Sequence, residues 1–237
     1  MTTRLKLFQL VSPALPVGAF SYSEGLETLV QAGVLTGPAA LEAWLRAELQ
    51  RGAVCAEAAA LAPLGQALGR CRAGSSQASN TAAAELLDLD GWLLAQREAP
   101  ELRAQQLQMG GSLLQLLQEL GWPLPDALAG ALAAPLADSL AWPAAFAWAA
   151  ECLELGSPER EEAYLYGWVA NQLSAAVRLV PLGPTQAQRL QLQLAPLIAD
   201  RARQLAITDP RSLWSGGVGA GLAQLQHGEL YSRLFRS

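Results

Sequence analysis

The chain of 237 residues holds one histidine, His227, and one lysine, Lys6, which limits the chemistry available to it. Nothing glycine-rich precedes Lys6, so a phosphate-binding loop ending in Gly-Lys is absent. One histidine excludes an H-E-x-x-H metal site. Cys55, Cys71 and Cys152 are far apart and form no C-x-x-C pair. They support neither a structural zinc site nor a disulfide framework, and read as buried thiols of a reducing compartment. Nucleophilic catalysis would have to use His227 as its base, beside the glycine-rich run 216–221. Asp88 and Asp90 are carboxylates at i, i+2, and on a helix such a pair diverges. Glu159, Glu161 and Glu162 suit a solvated first helical turn. With no base–nucleophile pair and no convergent ligand set, the sequence reads as a non-enzyme without cofactor or metal site.

Two charged groupings remain. Arg97, Glu98, Glu101 and Arg103 fit either a network of intramolecular pairs or a polar patch facing a partner. Arg178 lies in the otherwise apolar stretch 175–182 and needs a partner, either an internal carboxylate such as Glu27 or a group across an interface.

The elements that must position these residues are helical. Met109, Leu113, Leu116, Leu117 and Leu120 fall on one helix face, as do Leu190, Leu194, Leu197, Ile198 and Leu205, with Pro196 a predicted kink. No stretch alternates with period two, and good helix formers dominate. Gly37-Pro38 and Ser157-Pro158-Glu159 are helix starts, and Asp209-Pro210 is a candidate third. Residues 73–80 read as a loop. The pattern predicts helices near 22–33, 38–70 (bent at Pro63), 81–98, 101–120, 125–134, 142–155, 158–180 and 184–206. No linker divides them. The fold class is therefore all-α: a single-domain bundle of about eight to ten helices over 1–237.

Both ends differ from the middle. The run Ser12 to Phe20 is apolar yet non-helical, with Pro13 and Pro16 fixing its backbone. Ser21 and Glu24 then have the spacing of a capping box. The glycines of 216–221 fail the dinucleotide pattern and read as a flexible tether. The tail beyond it carries Tyr231, Arg233, Leu234, Phe235 and Arg236, residue types suited to docking on a partner. The sequence thus predicts partner-binding segments at 1–20 and about 212–237.

Composition supports an interaction role. Hydrophobic residues make up 51% and charged residues 16%, where about 25% charged is typical. A surface short of charge meets partners, and a homodimer is expected. The net charge of −5 without a basic block argues against nucleic acid. The longest uncharged stretches, 7–23 and 212–228, are broken by proline or glycine and do not read as membrane spans. No export signal is evident, so a cytoplasmic location is expected.

The run Ser12-Pro13-Ala14-Leu15-Pro16-Val17-Gly18-Ala19-Phe20-Ser21-Tyr22-Ser23-Glu24-Gly25-Leu26-Glu27 and the end Tyr231-Ser232-Arg233-Leu234-Phe235-Arg236-Ser237 resemble the UreF family of urease accessory proteins. Three middle pieces agree: 95–98 with Glu101 and Arg103, Gln108-Met109-Gly110, and Ala176 to Gly183. Pro184, Ala187 and Gly228 depart from the family's usual residues. The resemblance implies an all-α, homodimeric, non-enzymatic maturation factor. It would bind the accessory protein UreD (also called UreH) and the GTPase UreG, and help deliver nickel to apo-urease.

On that resemblance, Tyr22, Ser23, Glu24, Glu27, Arg97, Glu98 and Arg178 are expected on the face toward UreG. His227, Tyr231, Arg233, Leu234, Phe235 and Arg236 are expected on the tail toward UreD, with His227 facing that partner. An alternative to the scaffold role is direct regulation of UreG's GTP hydrolysis, as activator or as fidelity gate. Arg97, Arg178 and Arg233 are then the arginines available to a transition state.

Overall fold

The computed structural model describes residues 3–132, 139–214 and 217–237. Among them every regular element is helical. The α-helices are α1 (Thr3–Leu10), α2 (Leu26–Gln31), α3 (Pro38–Arg51), α4 (Ala53–Ala73), α5 (Ser76–Ala95), α6 (Pro100–Glu119), α7 (Asp126–Leu132), α8 (Trp142–Cys152), α9 (Glu159–Leu179), α10 (Pro184–Leu205) and α11 (Val218–His227). Short 3-10 turns lie at Ala19–Ser21 and Pro210–Ser212. The all-α fold class read from the sequence is therefore present. No described helix is long and apolar enough to cross a membrane.

The core is built around α4 and α8. Pro143 to Ala150 are all buried, so α8 is apolar on every side, as a central helix must be. It packs against α4 and α6. Gly110 makes the α6 contact possible: a Cβ there would stand 2.1 Å from the Leu140 carbonyl oxygen.

The differences from the sequence reading have local causes. The helix expected over 38–70 breaks at Gly52, whose extended backbone both ends α3 and starts α4. Pro63 and Pro196 sit inside continuous helices. Packing on several neighbours holds α4 together despite the lost N–H, so proline alone does not set the break. The loop read at 73–80 shrinks because α5 already starts at Ser76. Residues 3–10, which carry no helix signal of the kind found elsewhere, are helical and contact α9. The final two residues of the helix expected over 125–134 lie outside the described residues.

The largest correction concerns the glycine-rich run. From Val218 onward it is helical, not a tether. Its small residues let α11 approach α2 closely: a Cβ on Gly25 would lie 2.9 Å from the Ala220 carbonyl oxygen. Gly216 itself lies outside the described residues.

Candidate partner-binding site

Glu27, in the first turn of α2, is 2% exposed and organises the meeting of the two chain ends. Its carboxylate accepts hydrogen bonds from the backbone N–H of Leu234 (2.7 Å) and of Phe235 (3.1 Å). The strand-like contact continues alongside: Arg236 N–H donates to the Ser21 carbonyl (2.8 Å), and Ser23 N–H to the Ser237 carbonyl (2.7 Å). The Ser23 hydroxyl also donates to that carbonyl (2.8 Å), and the Ser237 hydroxyl to Gln105 (2.7 Å). The tail beyond the expected tether is thus seated on the chain's own N-terminal segment.

His227 is fully buried, contrary to its expected place facing a partner. Its Nε2 lies 3.2 Å from Glu27 Oε2 and its Nδ1 3.1 Å from Glu101 Oε2. Arg233 reaches the other Glu101 oxygen at 3.2 Å. The histidine joins α2, α6 and α11.

The expected capping box does not form. Ser21 ends the 3-10 turn, and Glu24 has φ 50. The Glu24 carboxylate accepts instead from Gln105 Nε2 (2.7 Å) and Trp168 Nε1 (3.1 Å). Tyr22 is buried, with its hydroxyl on Gln108, so it presents no ring to a partner in this conformation. Ser23 and Glu27 are buried by the tail.

Arg97 is buried against Glu57, to which its Nε donates at 2.9 Å in addition to a second contact. Tyr164 (2.9 Å) and Gln106 (3.1 Å) donate to the same carboxylate. Burial pushes the Glu57 carboxyl up, opposed by the Arg97 charge and by the hydrogen bonds from Arg97 and Tyr164. Burial opposes the Arg97 charge too, but Glu57 and Glu24 outweigh it and hold its pKa above the ordinary value. Arg103 fixes the adjoining turn by donating to the carbonyls of Arg97 (2.7 Å) and Glu98 (3.0 Å). Arg97, Glu101 and Arg103 therefore take part in intramolecular networks. Arg178 finds its partner in the tail rather than in Glu27: its guanidinium lies 4.6 Å from the Phe235 ring centre and donates to the Phe20 carbonyl at 3.4 Å.

Exposed residues form a separate layer. Of the sequence-predicted residues, Glu98, Arg178, Tyr231, Arg233, Leu234 and Arg236 face solvent, while Phe235 is buried. Along α11, Val218, Leu222 and Leu225 form an exposed apolar stripe at i, i+4 and i+7.

Sequence reasoning missed Glu57, Gln105, Gln106, Tyr164 and Trp168. Glu57 was detectable, because it is the one charge in the apolar run 53–64 and needed a partner as Arg178 did.

A family model described as UreF matches residues 35–195. The chain belongs to the UreF family. Similar curated proteins, each named urease accessory protein UreF, extend the match to both ends. One from Thermosynechococcus vestitus is 41% identical, covering 98% of this chain and 97% of its own. One from Trichormus variabilis is 40% identical over 98% of this chain and 95% of its own. One from Prochlorococcus marinus is 34% identical over 99% of both. Glu27 and the tail lie outside the span of the UreF model, while these longer alignments cover 98–99% of the chain.

Proposed function

We propose that this protein is a non-enzymatic urease accessory factor. It serves as a scaffold that binds UreD (UreH), recruits the GTPase UreG and so supports nickel delivery to apo-urease, acting as a cytoplasmic homodimer. The observation that carries this reading is the end-to-end similarity to proteins named urease accessory protein UreF. The tail supports it further: its backbone is held by Glu27 while Tyr231 and half of Leu234 face outward. A peptide held in place with its large side chains free loses little entropy when it binds.

The UreD-binding segment is then the tail with Tyr231, Arg233, Leu234 and Arg236, while Phe235 and His227 hold it in place. The UreG face is placed around exposed Glu98 and Arg178, with Tyr22, Ser23, Glu24, Glu27 and Arg97 as the support beneath. The exposed α11 stripe offers apolar surface for a partner or a second copy. Direct regulation of UreG by an arginine is the second reading. It falls to Arg178 or Arg233, since Arg97 is committed to Glu57.

Co-purification of UreD with Tyr231→Ala/Leu234→Ala tests the scaffold role. Both side chains are exposed, so stability should change by no more than about 0.5 kcal/mol, while UreD recovery should be lost. Unchanged recovery would remove the tail from the UreD interface. UreG turnover with and without Arg178→Ala and Arg233→Ala separates scaffold from regulator.

A further inference from the structure

A cavity of about 560 Å³ opens between α3, α5, α9 and the segment leading into α11. Its walls are aromatic. Trp44 and Trp168 form a tilted pair with ring centres 6.0 Å apart, and Trp92 also lines the space. Two cations lie in the lining, and both are already paired: Arg97 with Glu57, and Arg211 with Asp88 while lying 5.4 Å over Trp92. Three carboxylates, Glu24, Glu48 and Glu98, line the same space. Glu24 has its two donors. The side chains of Glu48 and Glu98 have no hydrogen-bond donor among the described residues. The Glu48 carboxyl is pushed up to about 7, by burial first and then by the charge of Glu24. The charges of Arg97 and Arg51 oppose this rise, but neither is ion-paired with the part-buried Glu48 carboxylate.

We propose that this cavity receives an arginine side chain from a partner protein. A planar guanidinium stacks on indole faces and offers several donors to carboxylates at once. An anion would meet Glu24, Glu48 and Glu98, and an apolar group would leave Glu48 without a donor. The rim points to a protein as the bearer of that arginine. Trp214, 91% exposed, and Val218 lie at the cavity, and from Val218 the apolar stripe runs on to Leu222 and Leu225. A deep polar anchor beside an apolar strip is the layout of a protein-binding hot spot. The inference uses none of the contacts that seat the tail and does not depend on which partner the tail binds.

The full chain can be titrated with N-acetyl-arginine amide and followed by indole fluorescence. N-acetyl-citrulline amide, similar in shape but uncharged, is the control. Saturable binding of the arginine compound is expected, with citrulline at least about tenfold weaker. A capped Leu-Arg-Leu-Phe peptide should bind at least about tenfold more tightly than the arginine amide, because its flanking side chains reach the apolar strip. Glu48→Gln and Glu98→Gln should each weaken the arginine amide at least about threefold, with helical circular dichroism unchanged. Equal binding of citrulline, or unchanged binding by both variants, would overturn the proposal. So would equal affinity of peptide and amide, which would make a free guanidino compound the occupant. All of these readouts are independent of UreD and UreG.

Discussion

Glu27 Oε2 lies 3.2 Å from His227 Nε2, although the two residues are 200 positions apart, and the same carboxylate holds the backbone of Leu234 and Phe235. One buried side chain thus closes the N-terminal segment, α11 and the tail into a single unit. Replacing Glu27 with Gln leaves one acceptor oxygen where the site needs two, and turns an amide group toward its donors. The expected loss is about 2–4 kcal/mol. Denaturant unfolding measures it, and faster amide exchange at 234–237 should accompany it.

Phe235 and Tyr231 separate support from contact. Phe235 is buried beneath Arg178, so Phe235→Ala should cost about 3 kcal/mol. Tyr231 is fully exposed, and Tyr231→Ala should move the melting temperature hardly at all. Equal losses in thermal melts would mean that the tail sits differently.

Gly25→Ala should loosen α11 selectively. Gly25 has φ 86, and an added Cβ would lie 2.9 Å from the Ala220 carbonyl. Gly33 has φ 71 with nothing within 4 Å, so Gly33→Ala carries only the backbone strain, about 1–2 kcal/mol. Limited proteolysis should cut between 213 and 228 faster in Gly25→Ala than in Gly33→Ala.

Asp90 gives the fold a pH dependence of defined sign. Burial raises its pKa from 3.8 to about 6, opposed by the Ala141 N–H. Between those values the unfolded chain releases a proton that the folded chain keeps. This group's contribution therefore makes stability fall as pH rises through that window, and then level off above it. At about 1.4 kcal/mol per tenfold change in acid strength, the loss is ~3 kcal/mol. Asp90→Asn keeps an acceptor for Ala141 and should remove that slope. Chemical denaturation at pH 4, 5, 6 and 8 compares the two proteins.

Glu57 and Arg97 should behave as a unit. Glu57→Gln leaves the buried arginine without its counter-charge, at a cost of about 3–5 kcal/mol. Adding Arg97→Met should recover part of that loss. A double variant no more stable than Glu57→Gln would mean that the remaining donors, Tyr164 and Gln106, dominate the site.

Features under the control of local chemistry are legible in the order of residues. The 3.6-residue apolar periodicity of 109–120 and 190–205 placed two helices, and Gly37-Pro38 placed the start of α3. The counts of lysine, histidine and cysteine restricted the chemistry, and the motifs at 12–27 and 231–237 carried the family. Tertiary structure decided whatever depended on residues distant in sequence. Ser21 and Glu24 have capping-box spacing, yet Glu24 turns to Gln105 and Trp168 because those donors lie within reach and Gly25 must meet α11. The glycines after 217 favour a tether in isolation, but docking on α2 makes them a helix. Burial of Tyr22, His227 and Phe235 follows from the two chain ends meeting at Glu27. Spacing along the chain carries no record of that meeting, because charge pairing and desolvation act through space.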